Sequence, residues 1–323
     1  MIDGSGRNIN YIRISVSDRC QLRCTYCMPE EGVELLSHRD MLSFDEIERL
    51  CRIFAQLGIN VIKITGGEPL CRRNVSQLIK NIKAIEGISE VTLTTNGVDL
   101  ARYWDELCDA GLDSVNISID TLDRELYASI TRRDRIEDVL NSIRLTQHSG
   151  NIPVKINCVP MMNEQLLWDV ASLAKDFPIH VRFIEMMPIG CGKQFKFISR
   201  EETMKRLEAH YGPLTQITGK LGNGPADYYS LPGFKGNIGF ISALSHKFCS
   251  ECNRVRLTAS GFLKTCLQYD CGVNLLELLR SDAADEEIKA AICKAIEEKP
   301  SAHHFGGSDT ELDESKIMGQ IGG

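Results

Sequence analysis

The chain has 323 residues, of which 43% are hydrophobic and 25% charged, values close to those of average globular proteins that exclude a disordered or fibrous class. Its 37 Lys and Arg against 44 Asp and Glu give a formal net charge of -7, which argues against broad nucleic-acid binding but leaves room for a local cationic pocket. No apolar run approaches the roughly 18 residues of a membrane span, and the opening MIDGSGRNINYIRISVS resembles neither a signal nor a transit peptide, so a cytoplasmic location without membrane or nucleic-acid partners is expected.

In chain order, short β-branched runs alternate with amphipathic stretches, as βα units do. Strands are predicted at Tyr11–Val16, Val61–Thr65, Val91–Thr95, Ser114–Ile119, Val154–Val159 and His180–Glu185. Helical patterns between them include Phe44–Leu57, Val75–Ile85, Ile136–Gln147 and Leu166–Asp176. Ser43-Phe44-Asp45-Glu46 reads as a capping box, with Gly58 as the stop. Six units leave a (βα)8 barrel incomplete. Polar or special residues gather just past the strands, at Gly66-Gly67-Glu68, Asn96-Gly97, Asp120 and Glu185, where barrels carry their reactive face.

Past Pro188 the rhythm changes to Gly-rich loops, short strands and two late helices near Val273–Leu279 and Asp285–Glu298. The fold class expected is α/β: an incomplete (βα)6 TIM-type barrel with a C-terminal α+β extension covering its opening. A boundary near Gly190–Lys196 divides a barrel domain, 1–190, from a C-terminal domain, 191–323. On composition alone the polar, Gly-rich stretch from Pro300 to Gly323 reads as a free tail.

Thirteen cysteines in a chain with no secretory signal read as metal ligands rather than a disulfide framework. Cys20, Cys24 and Cys27 directly follow the first strand. Three thiolates at this spacing wrap three corners of a 4Fe-4S cube and leave one iron open for chemistry. A structural zinc takes four protein ligands and an electron-transfer ferredoxin ligates every iron; neither pattern is met locally, and both stay as alternatives. Cys249, Cys252 and Cys266 form a second triad, also one ligand short, which Cys271 could complete as a closed structural centre. Between them, Arg254 and Arg256 share one face of a predicted strand, and their planar forks suit phosphate. Cys51, Cys71, Cys108, Cys158, Cys191 and Cys293 have no partner spacing and read as core or surface thiols. His303-His304 reads as a surface pair.

RISVSDRCQLRCTYCMPE, with Tyr26 before the third cysteine, and ITGGEPL at 64–70 resemble the radical S-adenosylmethionine (SAM) superfamily. The resemblance implies that SAM chelates the open iron through its amino and carboxylate groups. An electron from the cluster then cleaves it to methionine and a 5'-deoxyadenosyl radical. Gly66 and Gly67 would let backbone approach a ligand closely. With the second triad, the Asn-Arg-x-Arg segment and the terminal Gly-Gly added, the chain is similar from Tyr11 to Gly323 to the GTP 3',8-cyclases of molybdenum cofactor biosynthesis.

That narrower resemblance implies a radical SAM lyase with two 4Fe-4S clusters, the second binding the guanine of GTP through its open iron. The radical attacks ribose C3', which closes onto C8 to give (8S)-3',8-cyclo-7,8-dihydroguanosine 5'-triphosphate. Cyclic pyranopterin monophosphate synthase acts downstream, and a low-potential donor of flavodoxin or ferredoxin type supplies electrons. By motif position Tyr26, Gly67, Ser118 and Met187 hold SAM, while Arg13, Lys63, Thr94, Lys155, Arg254, Val255 and Arg256 hold GTP. Arg13, Arg254, Arg256, Gly322 and Gly323 form the implied catalytic set, the tail entering the active site. Lys63 stands where the family usually has arginine, keeping the charge but losing the fork. Arg182 either meets the SAM carboxylate or pairs with an acid such as Glu185. A peptide maturase with an auxiliary cluster fits less well, because only Met1 to Asn10 precede the first strand. A non-enzymatic iron-sulfur carrier gains nothing from open irons. Radical chemistry needs a closed, water-poor space, so the barrel interior should have one cluster at each mouth.

Overall fold

A computed structural model describes residues 1–150, 152–161, 164–219, 221–305 and 313–322. The elements are β1 (Tyr11–Ser15), α1 (Phe44–Gln56), β2 (Val61–Thr65), α2 (Val75–Lys83), β3 (Glu90–Thr95), α3 (Leu100–Asp109), β4 (Ser114–Ser118), α4 (Arg124–Thr131), α5 (Ile136–Ser149), β5 (Val154–Cys158), α6 (Glu164–Asp176) and β6 (His180–Ile184). There follow α7 (Arg200–Tyr211), β7 (Thr215–Gln216), β8 (Asp227–Ser230), β9 (Ile238–Ile241), β10 (Arg254–Leu257), β11 (Phe262–Lys264), β12 (Gly272–Asn274), α8 (Leu275–Arg280), α9 (Asp285–Glu297) and α10 (Met318–Ile321). Among the described residues no helix is long and apolar enough to cross a membrane.

Alternation along the six N-terminal strands sorts their side chains between two environments. Ile12, Ile14, Ile62, Ile64, Val91, Leu93, Val115, Ile117, Ile156 and Val181 are all fully buried in the core shared with the helices. Residues between them, such as Arg13, Lys63, Thr94, Asn116 and Arg182, face the barrel interior. α1 begins at the expected capping box: Glu46 N donates to Ser43 Oγ at 3.1 Å and Ser43 N to Glu46 Oε2 at 2.6 Å. Gly58 follows the last turn with φ +79°, a left-handed conformation that glycine adopts without strain. The helix buries Ile47, Leu50, Cys51, Ile53 and Phe54; truncating Phe54 to Ala would cost about 3–5 kcal/mol.

The described strands form one sheet in the order β12-β11-β10-β1-β2-β3-β4-β5-β6-β9-β8-β7. β1 to β6 pair consecutively in parallel, β10 pairs parallel with β1, and β9 pairs parallel with β6. The C-terminal segment thus extends both edges of the six-stranded barrel. β9 and β10 are neighbours in sequence but lie at opposite ends of this parallel run, so residues 242–253 cross the gap between them. This is the incomplete TIM-type barrel whose opening the C-terminal extension covers.

Three corrections concern local elements. α7 lies where only loops and short strands were expected: it is capped by Ser199 Oγ, which accepts from Glu202 N at 3.2 Å, but it buries only Thr203 and Leu207. Val273, placed in a helix by its apolar neighbours, instead pairs with Leu263 across β11 and β12. The tail is not free over its described part. Glu314 and Ile321 are 5% and 1% exposed, and α10 returns to the barrel.

Candidate active site

In TIM barrels the interior is normally filled by bulky branched side chains. Here long cations and small polar groups take those positions. Arg256, Arg13, Lys63 and Thr92 stand abreast across β10, β1, β2 and β3. Thr94, Asn116, Lys155 and His180 form a second row, and Ser118, Asn157, Arg182 and Gly239 a third. A Cβ on Gly239 would lie 2.9 Å from Arg182 Cγ, so the glycine makes room for that arginine. The interior keeps a cavity of about 370 Å³, and it reaches both cysteine triads.

The first triad lies past the C-terminal end of β1. Its partly buried thiols lie close enough to repel one another's charge. Burial and then Glu68 push Cys20 up to about 11, burial and then Cys20 and Cys191 push Cys27 up to about 12, and Cys24 is raised by burial, Cys27 and Asp120. Such thiols give up their protons to a metal rather than to water. Among the described residues no three His, Cys, Asp or Glu side chains converge where one ion would sit; a multi-iron cluster has its own volume and holds its thiolates apart.

The glycine pair also has a structural cause within the protein itself. A Cβ on Gly67 would stand 2.6 Å from Arg19 O and 2.8 Å from Asp18 O, and one on Gly66 would stand 2.7 Å from Ser17 O. Their missing side chains let the cysteine loop lie directly on this turn, tied by Gly67 N to Ser17 O at 2.6 Å and Glu68 N to Arg19 O at 2.7 Å. Glu68 is held above the usual carboxylate range, at about 7, by burial, although Thr95 Oγ1, Asn96 N and Leu70 N all donate to it. Tyr26 donates to Asp120 Oδ2 at 2.6 Å; Asp120 also takes Val159 N at 2.8 Å and is raised by burial. Ser118 and Met187 line the same end.

The second triad lies at the opposite mouth, since Cys249 and Cys252 precede β10 and Cys266 follows the antiparallel β11. All three line the cavity, while Cys271 does not; its Sγ sits 3.3 Å from Thr265 Oγ1. Burial pushes the Cys252 thiol up, but Lys299 and Arg254 outweigh it and leave it lowered. Arg7 braces this mouth by donating through Nη1 to Cys249 O at 2.9 Å and Ser301 O at 2.8 Å.

Between the mouths the lining is cationic: Arg13, Lys63, Arg182, Arg254 and Arg256. Burial, then Arg182 and Arg13, holds Lys63 well below its usual value, and burial, then Arg13 and Arg254, does the same for Arg256. The lining carboxylates Glu68, Asp120 and Glu185 all belong to the C-terminal ends of strands. Thr94 lines the cavity and accepts from Asn116 Nδ2 at 3.2 Å. Val255 is 1% exposed within the hydrophobic core, which leaves its backbone as what it can offer. Lys155 is outside the lining: its Nζ donates to Leu221 O at 2.7 Å, and burial followed by Arg182 brings it down to about 8. α10 brings Met318 and Gly319 into the cavity wall, and Gly322 O accepts from Arg256 Nη1 at 2.6 Å. Gly323 lies outside the described residues.

Several expectations need correction. Arg182 forms no ion pair with Glu185 but donates to Asn157 Oδ1 at 2.9 and 2.6 Å. Glu185 instead accepts from Arg200 N at the start of α7 and from Leu244 N and Ser245 N in the crossing segment. His303 is not a surface residue: it lines the cavity, and His304 hydrogen-bonds with Tyr269 OH at 2.7 Å. Cys191 and Cys71 are not isolated thiols: the charge of Cys191 helps raise Cys27, and that of Cys20 helps raise Cys71, whose Sγ also donates to Gln21 Oε1 at 3.1 Å. Asn157, Arg7, Lys299 and Asp120 also belong to the wall or its bracing. Only Asp120, just past a strand, carried a sequence signal.

Family models and relatives agree on where this chain belongs. The Radical SAM superfamily model matches residues 14–176, and the Molybdenum Cofactor Synthesis C model residues 179–305. A GTP 3',8-cyclase of Syntrophomonas wolfei is 46% identical over 328 residues, and one of Heliobacterium modesticaldum is 45% identical over 334, each alignment covering 100% of both chains. Among solved structures, SuiB of Streptococcus suis bound to S-adenosylmethionine has a TM-score of 0.59 at 15% identity, covering 90% of this chain and 68% of that one. At that identity the likeness is one of fold.

Proposed function

This chain belongs to the GTP 3',8-cyclase family, and on that premise we propose that it is a radical SAM lyase of molybdenum cofactor biosynthesis, converting GTP to (8S)-3',8-cyclo-7,8-dihydroguanosine 5'-triphosphate. The observation that carries this reading is the single cavity joining two cysteine triads through a cationic wall.

The charge layout supports two ligands of opposite character. SAM is a cation, and Glu68, Asp120 and Glu185 gather at the first triad's end of the cavity. A triphosphate is a polyanion, and Arg13, Lys63, Arg254 and Arg256 offer it buried charge-assisted hydrogen bonds. Cys20, Cys24 and Cys27 would hold one 4Fe-4S cluster and Cys249, Cys252 and Cys266 a second. When bound, the first cluster and SAM supply a 5'-deoxyadenosyl radical that removes a hydrogen atom from the ribose. Tyr26, Gly67, Ser118 and Met187 position SAM in this reading. Arg13, Lys63, Thr94, Lys155, Arg254, Val255 and Arg256 position GTP, which requires the Lys155 ammonium to turn from Leu221 O. Arg13, Arg254 and Arg256 fix the nucleotide for ring closure, while Gly322 and Gly323 occupy space that a larger side chain would take from substrate. The crossing segment and the tail exclude water, so a primary radical meets only its intended hydrogen. The division into domains 1–190 and 191–323, a cytoplasmic location, a flavodoxin- or ferredoxin-type donor and consumption of the product by cyclic pyranopterin monophosphate synthase belong to the same proposal.

Anaerobic incubation with GTP, SAM and dithionite, followed by mass spectrometry, tests it. GTP loses one hydrogen atom and gains an electron and a proton, so the product should be an isomer of GTP accompanied by 5'-deoxyadenosine. SAM consumption without a GTP-derived product would sink the cyclase assignment.

A further inference from the structure

Where the tail approaches the barrel, Lys264 Nζ meets the Glu314 carboxylate with their side chains 0% and 1% exposed. Taking both charges out of water costs several kcal/mol per ion, and a well-packed apolar pair would often hold as firmly. A buried ion pair is better explained as a device for fixing one register.

The surrounding bonds show what is being aligned. Lys264 Nζ also donates to Tyr269 O at 2.7 Å. Glu314 N donates to Gln268 O at 2.6 Å, and Glu314 Oε1 accepts from Lys316 N at 2.8 Å. Tyr269 and Asp313 form an isolated antiparallel bridge. The turn 264–271 therefore presents Cys266 to the cavity and receives residues 313–316 from the tail. Lys264 stands opposite Arg256 across β10 and β11, and Arg256 in turn holds Gly322 O. The two ends of the docked tail are fixed by residues paired on adjacent strands.

We propose that Lys264 and Glu314 are a positioning pair that makes entry of the tail conditional on the folded Cys266 turn. The consequence for catalysis rests on the proposed function; the coupling itself does not.

Hydrogen exchange on the full-length, reconstituted enzyme tests the pair directly. Glu314→Gln and Lys264→Met should each accelerate exchange across 314–322 by at least about tenfold, with iron content and SAM cleavage unchanged, and the double variant should be no worse than either single one. In the reaction above, cyclised product per 5'-deoxyadenosine should fall by a comparable factor, an uncoupling that a general loss of stability would not give. Cys266→Ser, which leaves the pair intact, should also accelerate exchange across 314–322, and it supplies a readout if the pair variants do not fold. Unchanged tail exchange in either single variant, or in Cys266→Ser, overturns the coupling. Loss of iron in step with tail release overturns it too, because the pair would then be cluster scaffold. If the wild-type enzyme makes no cyclised nucleotide, the functional reading fails while the exchange measurements still decide the coupling.

Discussion

Gly67→Ala is the sharpest test of how the first cysteine loop is placed. The new Cβ would lie 2.6 Å from Arg19 O and 2.8 Å from Asp18 O, so the loop must retreat by about 0.8 Å to reach an ordinary contact near 3.4 Å. It cannot retreat freely, because Gly67 N and Glu68 N are bonded to Ser17 O and Arg19 O at 2.6 and 2.7 Å. Overpacking of this kind costs about 1–3 kcal/mol, and the strain falls one residue before Cys20. After anaerobic reconstitution the variant should hold roughly half the wild-type iron, with the second triad still loaded, and 5'-deoxyadenosine formation should be largely lost. Iron analysis, electron paramagnetic resonance and thermal unfolding read the three effects separately. Gly224→Ala is the control: its Cβ meets only Arg182 Nη1, at 3.8 Å, and its iron content should match the wild type. A Gly67→Ala enzyme with full iron and an unaltered spectrum would refute the reasoning.

Arg256→Ala removes a buried charged donor and should weaken GTP binding roughly ten- to hundredfold, measured by anaerobic equilibrium dialysis, with SAM binding retained. Lys155, lowered to about 8 from 10.5 chiefly by burial, is neutral in the folded protein and charged in the unfolded chain between those values. Ligand-free stability should therefore rise with pH across that window. GTP restores the proton, so its affinity should fall as pH rises through about 8, and Lys155→Met should flatten the profile. Deleting Gly322 and Gly323 should abolish cyclisation while both clusters still assemble; full activity in the deletion would remove the tail from the mechanism.

The six N-terminal strands and the capping box of α1 were legible because local propensity and packing agree there. The interior was legible only in part. Arg254 and Arg256 announce a face by their spacing, whereas Asn157 and Arg182 are joined only by the β5–β6 register. His303 and Lys299 reach the cavity through a chain path that no periodicity encodes. α7 escaped notice because REETMKRLEAHY buries just two residues, leaving no apolar stripe to find. Gly66 and Gly67 were located correctly but for an incomplete reason: the backbone they accommodate includes the protein's own.

The separation of β9 and β10 to opposite edges of the sheet also sets an order in time. During synthesis the first six strands emerge with both edges bare, and strand edges of that kind invite pairing with other chains. They stay bare until residues 238–257 have been made. These are long-range contacts, which form slowly. Until then the six-stranded interior lies open along both edges, with Cys20, Cys24 and Cys27 already beside it and the second triad still to be made.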